Sequence, residues 1–223
     1  MKSKTSEIKE ELASVLSGKT IDALIPPLVY AGVNALFGLD TAVIAALLTA
    51  IVLGLWRMFL KQTWIYALGG MLGVILAAGL AFLTRNAVGF FLPGLISSSI
   101  LLFIALSSLL IGKPLAAWAS HLTRGWPLHW FWRKDIKPAY REVTLIWALF
   151  IGGRFAIQVL LYQRGQASEL AWANTLLGWP VTIMILVVSY VYGIYRLKNL
   201  GGPGVDEFIA GDEPPWVGQT RGF

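Results

Sequence analysis

Six stretches of this chain are long, apolar and almost free of charge. They limit its fold more than any other feature. A helix needs about 20 mainly apolar residues to cross the hydrocarbon core of a bilayer. The runs are 22–38, 41–60, 64–84, 90–112, 143–163 and 170–195. They account for a chain that is 57% hydrophobic and only 13% charged, with a mean hydropathy of +0.68. Soluble domains carry about 25% charged residues, so an ordinary soluble enzyme is excluded. The expected fold is an all-α integral membrane protein of six transmembrane helices arranged as three hairpins. Its outer turns centre on GLD (38–40), TRNAVG (84–89) and QRGQAS (163–168). The first run is short and holds Pro26 and Pro27. It reads either as a crossing with an irregular inner end or as a re-entrant segment.

The basic residues give the orientation. With six crossings, fifteen of the 18 Lys and Arg residues fall on one side, among them Arg57, Lys61, Lys113, Lys134 and Arg196. Arg85 and Arg164 fall on the other side, and Arg154 lies within a span. Lys and Arg concentrate on the cytoplasmic side of membrane proteins. Both termini are therefore expected in the cytoplasm. The net charge of +6 is then a property of one membrane face, drawn to anionic lipid, and implies no nucleic acid. Trp118, Trp126, Trp130 and Trp132 read as interfacial anchors on that face, with Trp56 and Trp64 nearby.

Five regions follow. Residues 1–20 form a cytoplasmic leader. Within it Ile8, Leu12, Val15 and Leu16 share a helix face over 6–17, which suits either an interfacial helix or a docking site for a cytoplasmic partner. Residues 21–112 hold the first four helices. Residues 113–141 form a basic, Trp-rich connection, suited to the inner headgroup layer or to an interaction surface. Residues 142–197 hold the last two helices. Residues 198–223, rich in Gly, Pro and acids, read as a flexible cytoplasmic tail with no core of its own.

Lipid tails are as apolar as leucine, so helices in a membrane associate through close packing of small residues. Ala42, Ala46, Ala50 and Gly54 form one such stripe. Gly69, Gly73, Ala77 and Ala81 form another. Packing within the chain and homo-oligomerisation both use such stripes. Pro180, inside the sixth run, should kink its helix and free a carbonyl.

Arg154 lies near the middle of the fifth run. A charge at that depth costs about 2.5–3.5 kcal/mol on insertion scales, so it faces the protein interior or water. Gln158 lies one turn outward on the same face. Asn174 and Thr182 belong to a polar stripe of the sixth run. Ser97, Ser98 and Ser99 form a patch in the fourth, and Asn34 lies in the first. By depth these residues form one candidate intramembrane polar or anion site. Apart from Asp22 at the very edge of the first run, no acidic residue lies within a run to pair with Arg154. Its partner is then either a backbone carbonyl freed near Pro180 or a bound anion such as a lipid phosphate or carboxylate.

Catalytic signals are missing. His121 and His129 match no metal-ligand spacing. No HExxH, GxSxG, P-loop or dinucleotide motif occurs, and no span holds a His or Lys to attach haem or retinal. No cysteine is present. No metal, cofactor or catalytic residue is expected.

Several segments carry a resemblance. They are SGKTIDALIPPLVYAGVNALFGLDTA (17–42), the stretch 69–96 with its FFLPGL run, GKPL at 112–115, and WALFIGGRFAIQVLLY with Trp147, Arg154, Gln158 and Tyr162. In order and spacing the chain resembles an uncharacterised family of bacterial multi-span membrane proteins, a domain of unknown function distantly similar to intracellular septation protein A. Where that pattern often has Asn after FFLPGL, this chain has the Ser97–Ser99 cluster. The resemblance implies a bacterial inner-membrane protein with a part in envelope maintenance or division. It supplies no catalytic residues. Two readings remain. One is a non-enzymatic envelope factor or accessory subunit of a membrane complex. The other is a small transporter, channel or lipid- or anion-binding protein built on Arg154.

Overall fold

In the computed structural model, residues 25–59 and 64–223 are described. The amphipathic leader, Lys61 and the start of the first run lie outside these residues. The described residues are helical apart from turns, with no strand among them. In chain order the helices are α1 (Ile25–Phe37), α2 (Leu39–Phe59), α3 (Trp64–Thr84), α4 (Leu92–Leu110), α5 (Leu115–Arg124), α6 (Leu128–Phe131), α7 (Lys137–Gln163), α8 (Ala167–Leu176), α9 (Trp179–Leu200) and α10 (Val205–Ala210). A 3-10 turn, Ala87–Phe91, leads into α4.

Among the described residues, four stretches are long and apolar enough to cross a membrane: Leu39–Phe59, Ala87–Leu110, Lys137–Gln163 and Ala167–Leu200. Ile25–Phe37 and, within α3, Leu68–Thr84 are shorter apolar stretches. At 1.5 Å per residue, the 13 described residues of α1 reach about 20 Å.

The chain forms two compact units, Met1–Ile96 with Ile157–Trp179, and Ser97–Ala156 with Pro180–Phe223. In the first, α2 packs against both α1 and α3, and α1 also meets α8. Gly38, at φ 84°, ends α1 and lets α2 start one residue later. The α2 stripe is buried, with Ala42 and Ala46 wholly enclosed. Gly54 faces the Met71 sulfur so closely that a Cβ there would overlap it. The α3 stripe divides. Ala77 and Ala81 are buried, whereas Gly69 and Gly73 are exposed and a methyl added to either meets nothing within 4 Å. Tyr30 stacks on Phe90, and its hydroxyl donates to the Ala87 carbonyl at 2.9 Å.

The second unit has an aromatic core. Trp130, Phe131 and Tyr140 are wholly buried, with Trp126 and Phe223 nearly so. Two expectations are corrected here. Trp126 and Trp130 are not lipid-facing anchors. The Trp130 indole N–H donates to the Pro203 carbonyl at 2.9 Å, and its ring packs edge-on against Phe131 and Tyr140. Trp118 and Trp132 keep partial exposure. The tail is no coreless appendage either. It forms α10, buries Val205, and stacks Phe223 on Tyr140 at 4.3 Å. Gly193 makes this possible, because a Cβ there would overlap the Phe223 ring. In addition, α7 starts at Lys137 and runs unbroken through the expected boundary at 141–142.

The sixth run is divided rather than kinked. Between α8 and α9, Gly178 lies against the Asn174 carbonyl, so close that a Cβ would collide with it. Pro180, in the first turn of α9, has no N–H to continue the ladder.

Candidate functional site

The expected polar residues fall in both units. In the first, Gln158 is buried on α7, and its Nε2 donates to Oδ1 of Asn174 on α8. By depth the sequence grouped both with the other candidates of one polar site, without pairing them. The Gln158 Oε1 atom is buried with no hydrogen-bond partner among the described residues. An unsatisfied buried acceptor costs about 1–3 kcal/mol, so this carbonyl is poised for a donor. Asn34 is half-buried, and its backbone carbonyl accepts from Gly38.

Asn174 and Thr175 also line a cavity of about 350 Å³. Its walls are chiefly apolar or glycine, including Gly54, Gly69, Gly73 and Phe90. Gly69 and Gly73 of the α3 stripe line it without side chains to fill it. Small residues that would let two backbones meet here leave space instead. Arg57 borders the cavity, with a guanidinium nitrogen near Gly70.

In the second unit, Arg154 is half-buried on α7. Its Nε is buried and has no hydrogen-bond partner among the described residues. It takes part in none of the ion pairs found among them. The expected bond to a freed carbonyl is therefore not formed to any described residue. Thr182 is half-buried on α9. On α4, Ser97 is exposed and Ser98 and Ser99 are half-buried.

The inner half of the α9 polar stripe is already occupied by protein. Ser189 accepts from the Trp147 indole at 3.2 Å and donates to the Leu186 carbonyl at 3.0 Å. Tyr192 donates to Glu142 at 2.7 Å. Arg196 grips the same carboxylate through Nε at 2.8 Å and an Nη at 3.0 Å. Sequence reasoning missed this clamp between α7 and α9. The available signal was an acid and a base at similar depth, on two helices predicted to leave the membrane on the same side.

No group of three His, Asp or Glu side chains able to hold a metal occurs among the described residues. His121 Nδ1 lies 2.6 Å from the Trp126 carbonyl, which requires its proton on Nδ1. It fastens the turn after α5, where Gly125 takes the left-handed conformation at φ 71°.

Among known families, residues 17–197 match one described as Protein of unknown function (DUF3159). No curated protein and no solved structure matches the chain.

Proposed function

The chain belongs to this DUF3159 family, and on that premise we propose a six-span protein of the bacterial inner membrane with both termini cytoplasmic. Its role is to hold an anionic group within the membrane at Arg154. The group is a lipid phosphate or carboxylate. The role is binding rather than catalysis and serves envelope maintenance, in keeping with the resemblance to septation protein A. One observation carries the reading: the Arg154 Nε is buried with no hydrogen-bond partner among the described residues, and a guanidinium in mid-span must be compensated. Thr182 and Ser97–Ser99, in the same unit as Arg154, are the polar residues assigned to the same role.

The test measures lipid phosphorus retained by the full chain after purification in a neutral detergent. A charge-assisted hydrogen bond contributes about 1.5–3 kcal/mol, so Arg154→Gln should weaken retention roughly tenfold or more, while Arg154→Lys keeps part of it. If Arg154→Gln changes neither lipid retention nor thermal stability, the reading fails. Orientation is tested separately. The chain has no cysteine, so each introduced thiol is unique. Gln163→Cys should react with a membrane-impermeant reagent in intact cells, and Glu213→Cys only after permeabilisation.

A second reading is an accessory subunit of a membrane complex. It is favoured by the broad lipid-height apolar surface of α4, where Phe103 is 71% exposed. Co-purification of a stoichiometric membrane partner would support it over the first.

A further inference from the structure

A basic cleft at the start of α7, in the second unit, plays no part in the Arg154 site. It measures about 600 Å³ and is lined by Lys134, Lys137, Arg141 and Glu142, with Leu109 and Leu145. Glu142 is held by Arg196 and Tyr192. Asp135, next to Lys134, is held by Arg133 through two bonds of 2.9 and 2.7 Å. Among the described residues Lys134, Lys137 and Arg141 form no ion pair with a carboxylate. Three positive charges therefore face the cleft, while both neighbouring carboxylates are neutralised by other cations. The Lys137 ammonium is positioned beside Gly112, where the chain turns out of α4 at φ 74°. The amino end of α7 adds its own positive potential.

The apolar side of the cleft matters equally. Leu109 is in the last turn of α4, and Leu145 is two turns into α7 with 48% of its surface exposed. The cleft is thus cationic at one end and continuous with apolar helix surface at the other. We propose that it is a binding site for an anionic phospholipid. The phosphate sits among Lys134, Lys137 and Arg141, and the acyl chains run along Leu109 and Leu145. A free phosphate would satisfy the cations but leave the leucines without a match. Basic pockets between transmembrane helices at the cytoplasmic side are suited to such headgroups. The proposal rests on the membrane reading of α4 and α7 and is independent of Arg154.

Each Lys or Arg near an anionic lipid surface is worth about a fivefold gain in affinity, and three of them on the order of a hundredfold. The experiment uses the full chain in neutral detergent and follows its melting temperature. Short-chain phosphatidylglycerol, phosphatidylcholine of the same chain length and inorganic phosphate are titrated separately. Phosphatidylglycerol should raise the melting temperature saturably, with half-saturation about a hundredfold below that of phosphatidylcholine. Inorganic phosphate should cause no rise. The triple variant Lys134→Gln, Lys137→Gln, Arg141→Gln should lose the preference. The exposed Lys134→Gln alone should weaken it about fivefold, which covers the case of a misfolded triple variant.

Equal responses to the two lipids overturn the site, as does a triple variant that folds and keeps the preference. An equal rise with inorganic phosphate overturns the lipid assignment. Loss of the preference in Arg154→Gln, with retention in the triple variant, assigns the lipid to Arg154 and overturns the cleft. Release of the wild-type chain from membranes by alkaline carbonate overturns the membrane reading and this site with it.

Discussion

The two units are held together by opposite means. The first uses what is missing from its side chains: α2 offers alanines and a glycine so that neighbouring helices can come close. The second uses large rings, with Trp130, Phe131, Tyr140 and Phe223 stacked or edge-on within one core. On the membrane reading proposed above, the physical environment accounts for the contrast. Between lipid-bathed helices, burying apolar surface gains little, because lipid is already apolar, and close contact is what remains. Where a segment meets water, removing aromatic surface from solvent is the dominant gain. Large aromatic cores are therefore expected at the membrane–water boundary, and small-residue seams within the bilayer.

The largest effect expected from this comparison is at Trp130. Trp130→Ala empties a wholly buried site and leaves the Pro203 carbonyl without its donor. A loss of about 3–5 kcal/mol is expected, read as a lowered midpoint in chemical denaturation of the detergent-solubilised protein. A loss below 1 kcal/mol would mean that the aromatic cluster is not what holds the second unit.

The same logic runs in reverse in the first unit. Ala46 is wholly enclosed, so Ala46→Leu adds bulk where none fits and should cost about 1–3 kcal/mol. If leucine is accepted there without loss, close approach is not the basis of this unit. Gly73 sharpens the point. It has the same spacing but open space around it, and Gly73→Ala should stabilise by about 0.5–1 kcal/mol, the usual helix gain over glycine.

The smallest effect is at Glu207. Its carboxylate accepts from the backbone N–H groups of Gly204, Val217 and Gly218 at 2.7, 2.6 and 3.0 Å. These bonds hold its pKa below the usual carboxylate range. A depressed folded-state value gives stabilisation that is complete above the unfolded carboxylate pKa. It is lost as pH falls through the lower folded value. Tail cleavage by protease should therefore rise as pH drops below about 4, and Glu207→Gln should flatten that dependence. An unchanged pH profile in Glu207→Gln would remove these bonds from the account.

How much of this was legible depended on whether a residue's environment leaves a mark in its neighbours. Apolar runs and their glycine turns do, so helices and turns could be read, including Gly38 and Gly165. Tryptophan beside arginine and lysine does not. The same string suits an interfacial belt or a core that a later segment covers, and only the return of residues 203–223 decides between them. Gly and Pro in the tail suggested freedom, yet Gly193, thirty residues upstream, supplies the slot for Phe223. At the polar site, counting by depth grouped Gln158 and Asn174 with the other candidates but did not pair them. It could not show that the Arg154 Nε meets no acceptor among the described residues, because freed carbonyls are not visible in sequence.

The bond from Trp130 to Pro203 joins residues 73 positions apart. At translation speeds of about 5–20 residues per second, the tryptophan leaves the ribosome roughly 4–15 s before its acceptor exists. During that interval the indole needs surroundings that are apolar on one side and hydrogen-bonding on the other, and the headgroup layer offers both. In the folded chain both rings are buried, and the tail supplies the acceptor that the indole of Trp130 must wait for.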